Sequence, residues 1–125
     1  MKKVETSKAP GAIGPYSQGM KSGRLVFTSG QIPLDPATGA VVGDAIEAQS
    51  EQALKNLQAV LEAGGAGLDT VVKTTCFLSD MGDFAAFNAV YARFFTGDCP
   101  ARSCVAVKTL PKGVLVEVEA VAEVL

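Results

Sequence analysis

The sequence predicts an α+β fold: a mixed β-sheet with two helices packed on one face. Three observations carry this. Segments with strand and helical periodicity follow one another in the order β, α, β, α, β, β. Each helical segment has a single apolar stripe, so each covers one side of a sheet. The last segment, 114–124, has one face that is apolar throughout. Val114, Val116, Val118, Ala120, Ala122 and Val124 make one wholly apolar face, while Leu115, Glu117, Glu119, Val121 and Glu123 make the other.

The elements follow in order. Residues 9–19, APGAIGPYSQG, hold two prolines and three glycines and read as an ordered loop. RLVFTSGQI (24–32) reads as a strand with Gly30 near its end. Pro33, Pro36 and Gly39 make 33–44 a run of turns. A helix follows. Asp44 is its N-cap candidate, with Glu47 completing a box-like pattern, and Ile46, Ala53, Leu54, Leu57, Val60 and Leu61 recur at helical spacing. Gly64 and Gly65 stop it. TVVKTTCFL (70–78) is a β-branched strand. The second helix starts near Asp83, buries Phe84, Phe87, Val90, Tyr91 and Phe94, and stops by Gly97. CPARSCVAVK (99–108) enters another strand. The connector TLPKG (109–113) is short enough to join it to 114–124 as a hairpin. Strands 24–30 and 70–78 flank the first helix as a βαβ unit, with a right-handed crossover expected. The face opposite the helices carries Val121 and Leu125 among its glutamates, and a second subunit is the simplest cover.

Composition narrows the function. A chain of 125 residues fits one domain, 1–125. A 48% apolar content is slightly rich and points to surface buried between subunits. A net charge of −2 lacks the basic excess of a nucleic-acid binder. The opening MKK is followed by Val4, Glu5 and Thr6 rather than an apolar run, and no stretch is long enough to span a membrane, so a cytoplasmic location is expected. The three cysteines, Cys76, Cys99 and Cys104, make neither a disulfide framework nor a zinc motif and point to reduced thiols. There is no histidine, and therefore no Ser-His or Cys-His pair and no imidazole base.

What remains are candidates with competing readings. Arg102 and Cys104 share one face of a strand entered through Pro100. The guanidinium suits a small carboxylate, or it is a surface arginine. The Cys104 thiol lacks a histidine to activate it. It is either a compact packing residue or a thiol whose pKa Arg102 lowers. Glu117 and Glu119 are either solvated or, if their face is an intersubunit wall, desolvated enough for one to serve as a base. Tyr16 in its Pro/Gly loop packs or lines a pocket. Asn88 sits beside Phe87, where a plain polar-face role is the simpler reading. GGAGLD (64–69) follows a helix and is no dinucleotide fingerprint.

Taken together, AIGPYSQG (12–19), TSGQIP (28–33), QALKNLQAVLEAGG (52–65), VVKTTCFLSDMGDFAAFNAVYARFF (71–95), PARSCV (100–105) and LPKGVLVEVEAVA (110–122) resemble the YjgF/Rid family. The likeness is to its reactive intermediate deaminase A branch and runs colinearly through almost the whole chain. It implies a chorismate-mutase-like α+β domain in a homotrimer with clefts between subunits. It also implies hydrolysis of 2-imino and 2-enamino acids to 2-keto acids and ammonia, without metal or cofactor. By position, Arg102 would hold the substrate carboxylate, the Cys104 backbone would help place substrate or water, and Glu117 would activate water. Tyr16, Ser29, Gly30 and Asn88 would line the cleft, some from a neighbouring subunit. An older ribonuclease or translation-inhibition activity is also attached to this family, but the chain offers it no basic patch and no histidine pair. A non-catalytic binder of small carboxylates or a chaperone-like module is the other alternative, and Arg102 favours the enzyme.

Overall fold

A computed structural model describes residues 1–125. Six strands and two helices build it: β1 (Lys2–Val4), β2 (Gly19–Ser22), β3 (Leu25–Thr28), α1 (Ile46–Ala63), β4 (Val71–Leu78), α2 (Phe84–Phe94), β5 (Ala101–Ala106) and β6 (Val116–Glu123). They form one mixed sheet in the order β1-β2-β3-β6-β4-β5. Only β4 and β5 run parallel to each other as neighbours. The remaining neighbouring pairs are antiparallel.

The helices cover one face, as their stripes predict. Ala53, Leu54, Leu57, Val60 and Leu61 of α1 are completely buried against Val26, Cys76, Leu78, Val116 and Val118 of the sheet layer, in one cluster with Phe87 and Val90 of α2. Each such Leu or Val contributes about 1.5–3 kcal/mol relative to exposure. On the opposite face Leu25, Phe27 and Val105 stay exposed, and Phe77 and Val121 are half-buried. That is the uncovered face the sequence foretells.

Several expectations are corrected. The strand at 99–108 and the last strand are not a hairpin. β5 lies at the sheet edge beside β4, and β6 inserts between β3 and β4. The reason is burial. β6 has the most continuous apolar face, and a central position shelters it from both sides. The two strands flanking α1 run in the same direction, since both are antiparallel to β6, but β6 separates them. β1 and β2 leave no signal in the sequence. They are three and four residues long, too short to show a period. The strand expected over 24–32 ends at Thr28. After that break Gln31 pairs with Val118, its N–H donating at 2.8 Å and its carbonyl accepting at 3.0 Å.

The helix starts differ in detail. Ala45, not Asp44, is the N-cap of α1, and no side chain bonds there. Asp83 does cap α2 by position, but the bonded cap is Asp80, whose carboxylate accepts from Gly82 N–H at 2.8 Å in the preceding 3₁₀ turn. α2 ends at Phe94, before Gly97.

The end of α1 follows its glycines. Ala66 N–H donates to Leu61 O at 2.9 Å and Gly65 N–H to Glu62 O at 3.1 Å, a Schellman closure with Gly65 at φ 87°. An L side chain in that conformation costs about 1–2 kcal/mol. Gly65→Ala is expected to lower unfolding stability by about that amount in urea melts. An unchanged midpoint would contradict the closure.

Candidate active site

The chemistry-bearing residues form two groups on opposite faces of the sheet. The first group surrounds Glu117. Strand β6 alternates buried and half-exposed positions, so Val116 and Val118 point toward the helices and Glu117 points to the other face, opposite Phe77 of β4. The chain after β3 approaches it there. Gly30 lies so close under the carboxylate that a methyl group at Gly30 would overlap Glu117 Oε2 and come within 2.7 Å of its Cδ. The glycine is therefore needed for room, not for an unusual φ.

Glu117, Gly30, Ser29 and Tyr16 line one cleft of about 570 Å³, with Lys112 and Ile13 at its rim. Its walls are held by buried amides. Gln18 accepts from Thr6 N–H at 2.7 Å and donates to Pro10 O at 2.8 Å and Thr6 O at 3.0 Å, which folds the loop carrying Tyr16. Asn56 of α1 donates to Leu34 O at 2.9 Å and Ile32 O at 3.0 Å, which fixes the segment after Gly30. The Ser29 hydroxyl donates to Ser17 O at 2.6 Å. Its role is to join the two walls. Burial holds the Glu117 carboxyl above the ordinary glutamate range, and repulsion from Glu119 adds to this.

The second group surrounds Arg102. In register, Arg102 faces Thr74 and Cys104 faces Cys76, and both β4 positions are buried on the helix side. Arg102 thus lies under α2. Its Nη1 donates to Asn88 Oδ1 at 2.8 Å, and its guanidinium carbon sits 4.8 Å from the Tyr91 ring centre and 5.5 Å from that of Phe84. The two ion pairs of the chain, Lys3–Glu5 and Glu51–Lys55, lie elsewhere, so no carboxylate neutralises Arg102. Cys104 is half-buried. Burial raises its thiol pKa more than Arg102 lowers it, so it stays protonated at neutral pH. Cys76 is pushed up to about 12 by burial. Neither is an activated nucleophile, and all three cysteines are free.

The structure therefore gathers Tyr16, Ser29, Gly30 and Glu117 in one place and Arg102, Asn88 and Cys104 in another. Asn88 is more than a polar-face residue, because it orients the arginine. The sequence does not by itself mark Gln18, Asn56, Phe84 or Tyr91 as site residues. Phe84, Asn88 and Tyr91 are spaced i, i+4, i+7, one face of a helix, and that spacing was visible in the sequence. The buried amides gave no such signal, since Gln and Asn are ordinarily exposed.

Comparison with known proteins adds to this geometry. A family model described as Endoribonuclease L-PSP matches residues 6–124. The 2-iminobutanoate/2-iminopropanoate deaminase of Salmonella typhimurium is 52% identical over 124 residues, 97% of this chain and 96% of that one. The solved YjgF gene product of Escherichia coli is 48% identical, with a TM-score of 0.94 over 98% of each chain. Escherichia coli TdcF, solved with bound serine, is 46% identical, with a TM-score of 0.94 over 98% of each chain.

Two outcomes test this site. Gly30→Ala is expected to push the flexible carboxylate end of Glu117 aside with little change in the urea midpoint, and to return its pKa toward the ordinary glutamate range, read by NMR titration. For Glu117 the sign follows from its raised pKa. The penalty for the charged form is absent below the unfolded value and grows as pH rises through the folded one. Glu117→Gln should therefore stabilise more at neutral pH than below about pH 4. A pH-independent difference would contradict the desolvated carboxylate.

Proposed function

The chain belongs to the endoribonuclease L-PSP (YjgF/Rid) family, and on that premise we propose that it hydrolyses 2-imino and 2-enamino acids to 2-keto acids and ammonia. The observation that carries this reading is the Glu117 carboxylate, desolvated over Gly30 in a cleft. In a chain without histidine it is the natural general base. The uncompensated Arg102 supports the same reading, as an anchor for the substrate carboxylate.

The chemistry needs little more. An enamine such as 2-aminoacrylate tautomerises to 2-iminopropanoate. Glu117 takes a proton from water as its oxygen adds to the imine carbon, and the resulting tetrahedral carbinolamine is protonated on nitrogen. Collapse breaks the C–N bond and releases ammonia and the keto acid. Water supplies the oxygen, and no oxidant or reductant is consumed. The substrate is already electrophilic, so positioning and one carboxylate suffice.

Arg102 and Glu117 of one chain lie on opposite faces of its sheet and do not serve one substrate together. We therefore assign the complete site to the interface between copies, one supplying Arg102, Asn88 and the Cys104 backbone, the other Glu117, Gly30, Ser29 and Tyr16. In this proposal the assembly is a homotrimer, the state that the family resemblance implies. The apolar outer face with Phe27 and Val105 supports burial between copies, and β5 offers an edge whose outer backbone groups have no strand partner. In this reading the protein removes reactive imines before they damage other molecules.

The test is release of keto acid and ammonia from imine generated in the assay by an amino-acid oxidase. Glu117→Gln is expected to slow turnover about 10²–10⁴-fold. The parent kcat/KM should rise with pH through a value above the ordinary glutamate pKa. Absence of any acceleration by the parent would refute the activity. Sedimentation should give three times the single-chain mass, and a monomer retaining full activity would refute the shared site.

A further inference from the structure

Arginines in protein interiors are usually held by carboxylates, yet Arg102 is held by aromatic rings and an amide. α2 turns Phe84, Asn88 and Tyr91 toward it along one stripe. Tyr91 is the nearer ring, at 4.8 Å, and is 7% exposed. Its hydroxyl is bonded at 2.8 Å to the hydroxyl of Thr74, which is completely buried. Thr74 is also the residue directly opposite Arg102 on the neighbouring strand. The three side chains thus close a triangle: strand register ties Thr74 to Arg102, a hydrogen bond ties Thr74 to Tyr91, and a cation–π contact ties Tyr91 to Arg102.

A ring and a carboxylate hold a guanidinium differently. A ring attracts the charge through its π face and offers no oxygen to the five N–H donors. A carboxylate would consume the paired edge donors and cancel the charge. Here Asn88 takes one donor and the charge is retained. We infer that Tyr91, locked by Thr74, is a positioning residue that fixes the Arg102 guanidinium so that the donors Asn88 leaves free select a carboxylate ligand. This rests on the deaminase reading, in which that ligand is the 2-imino acid.

The variants are Tyr91→Leu, which removes the ring; Tyr91→Phe, which keeps the ring and loses the Thr74 bond; Thr74→Val; and Arg102→Ala as reference. Tyr91→Leu should raise KM for the imine and Kd for pyruvate about 3- to 30-fold, with kcat unchanged. Tyr91→Phe and Thr74→Val should each weaken pyruvate binding less, and the double variant no more than either single, because both break one bond. In ¹⁵N NMR the Arg102 Nε–H signal should be sharp in the parent and broadened by exchange in Tyr91→Leu. Should Tyr91→Leu fail to fold, the volume-conserving Tyr91→Phe and Thr74→Val carry the test. Loss of pyruvate binding in Arg102→Ala alongside parental binding in all three other variants overturns the inference and leaves the deaminase reading standing. Parental binding in Arg102→Ala overturns the inference together with the anchor role of Arg102, whereas the activity itself stands or falls on acceleration by the parent. A fall in kcat with KM unchanged would make Tyr91 a packing residue and also overturn it.

Discussion

Strand β6 has to hide Val116, Val118, Ala120 and Ala122 from water, and the rest of the structure is arranged around that demand. The strand is flanked by β3 on one side and β4 on the other, α1 packs over its apolar face, and α2 lies beside α1 in the same buried cluster. Once those four residues are buried, period-2 geometry leaves Glu117 no choice of side. It must project from the opposite face, where Phe77 lies across from it and the backbone at Gly30 closes beneath it. The elevated affinity of Glu117 for its proton thus originates in the packing of its neighbours in sequence.

The same alternation separates the two functional groups. Cys76 faces both Cys104 on β5 and Val118 on β6, so Arg102 and Cys104 share the helix side with Val118. Arg102 and Glu117 are thereby placed back to back. Two charges of opposite sign on one small chain are kept from neutralising each other, and each stays available. The arginine sits under the rings of α2 with its charge intact, while the glutamate stays partly dry without a cation bound to it. Such half-sites gain meaning when a second copy brings its own complement.

The split between local and distant determinants explains which parts were legible. The buried stripe of α1 was readable because helical spacing repeats over five turns, and every residue of it is buried. The two faces of β6 were readable because every second residue from Val114 to Val124 is apolar and all three glutamates fall on the other face. Asn88 was not separable from an ordinary polar residue, because its meaning depends on β5 lying two strands from β6 and beneath α2. Gln18 and Asn56 were invisible for a related reason. Their amides bond backbone carbonyls brought near only by folding. The expected hairpin failed because a short connector permits strand adjacency without requiring it, and the central slot beside β4 buried more of β6.

The sequence by itself determined the available chemistry and the sidedness of each segment. It excluded imidazole catalysis, singled out Arg102 and Glu117, and assigned each to a face of its own strand, because residue type and period are local properties. Only the tertiary structure decided which strands became neighbours, and therefore that these two residues lie on opposite faces. Only there does the arginine's charge rest on Tyr91 and Asn88 while Gly30 makes room for the glutamate. Strand order follows from total burial across residues far apart in the chain, a quantity no local window contains.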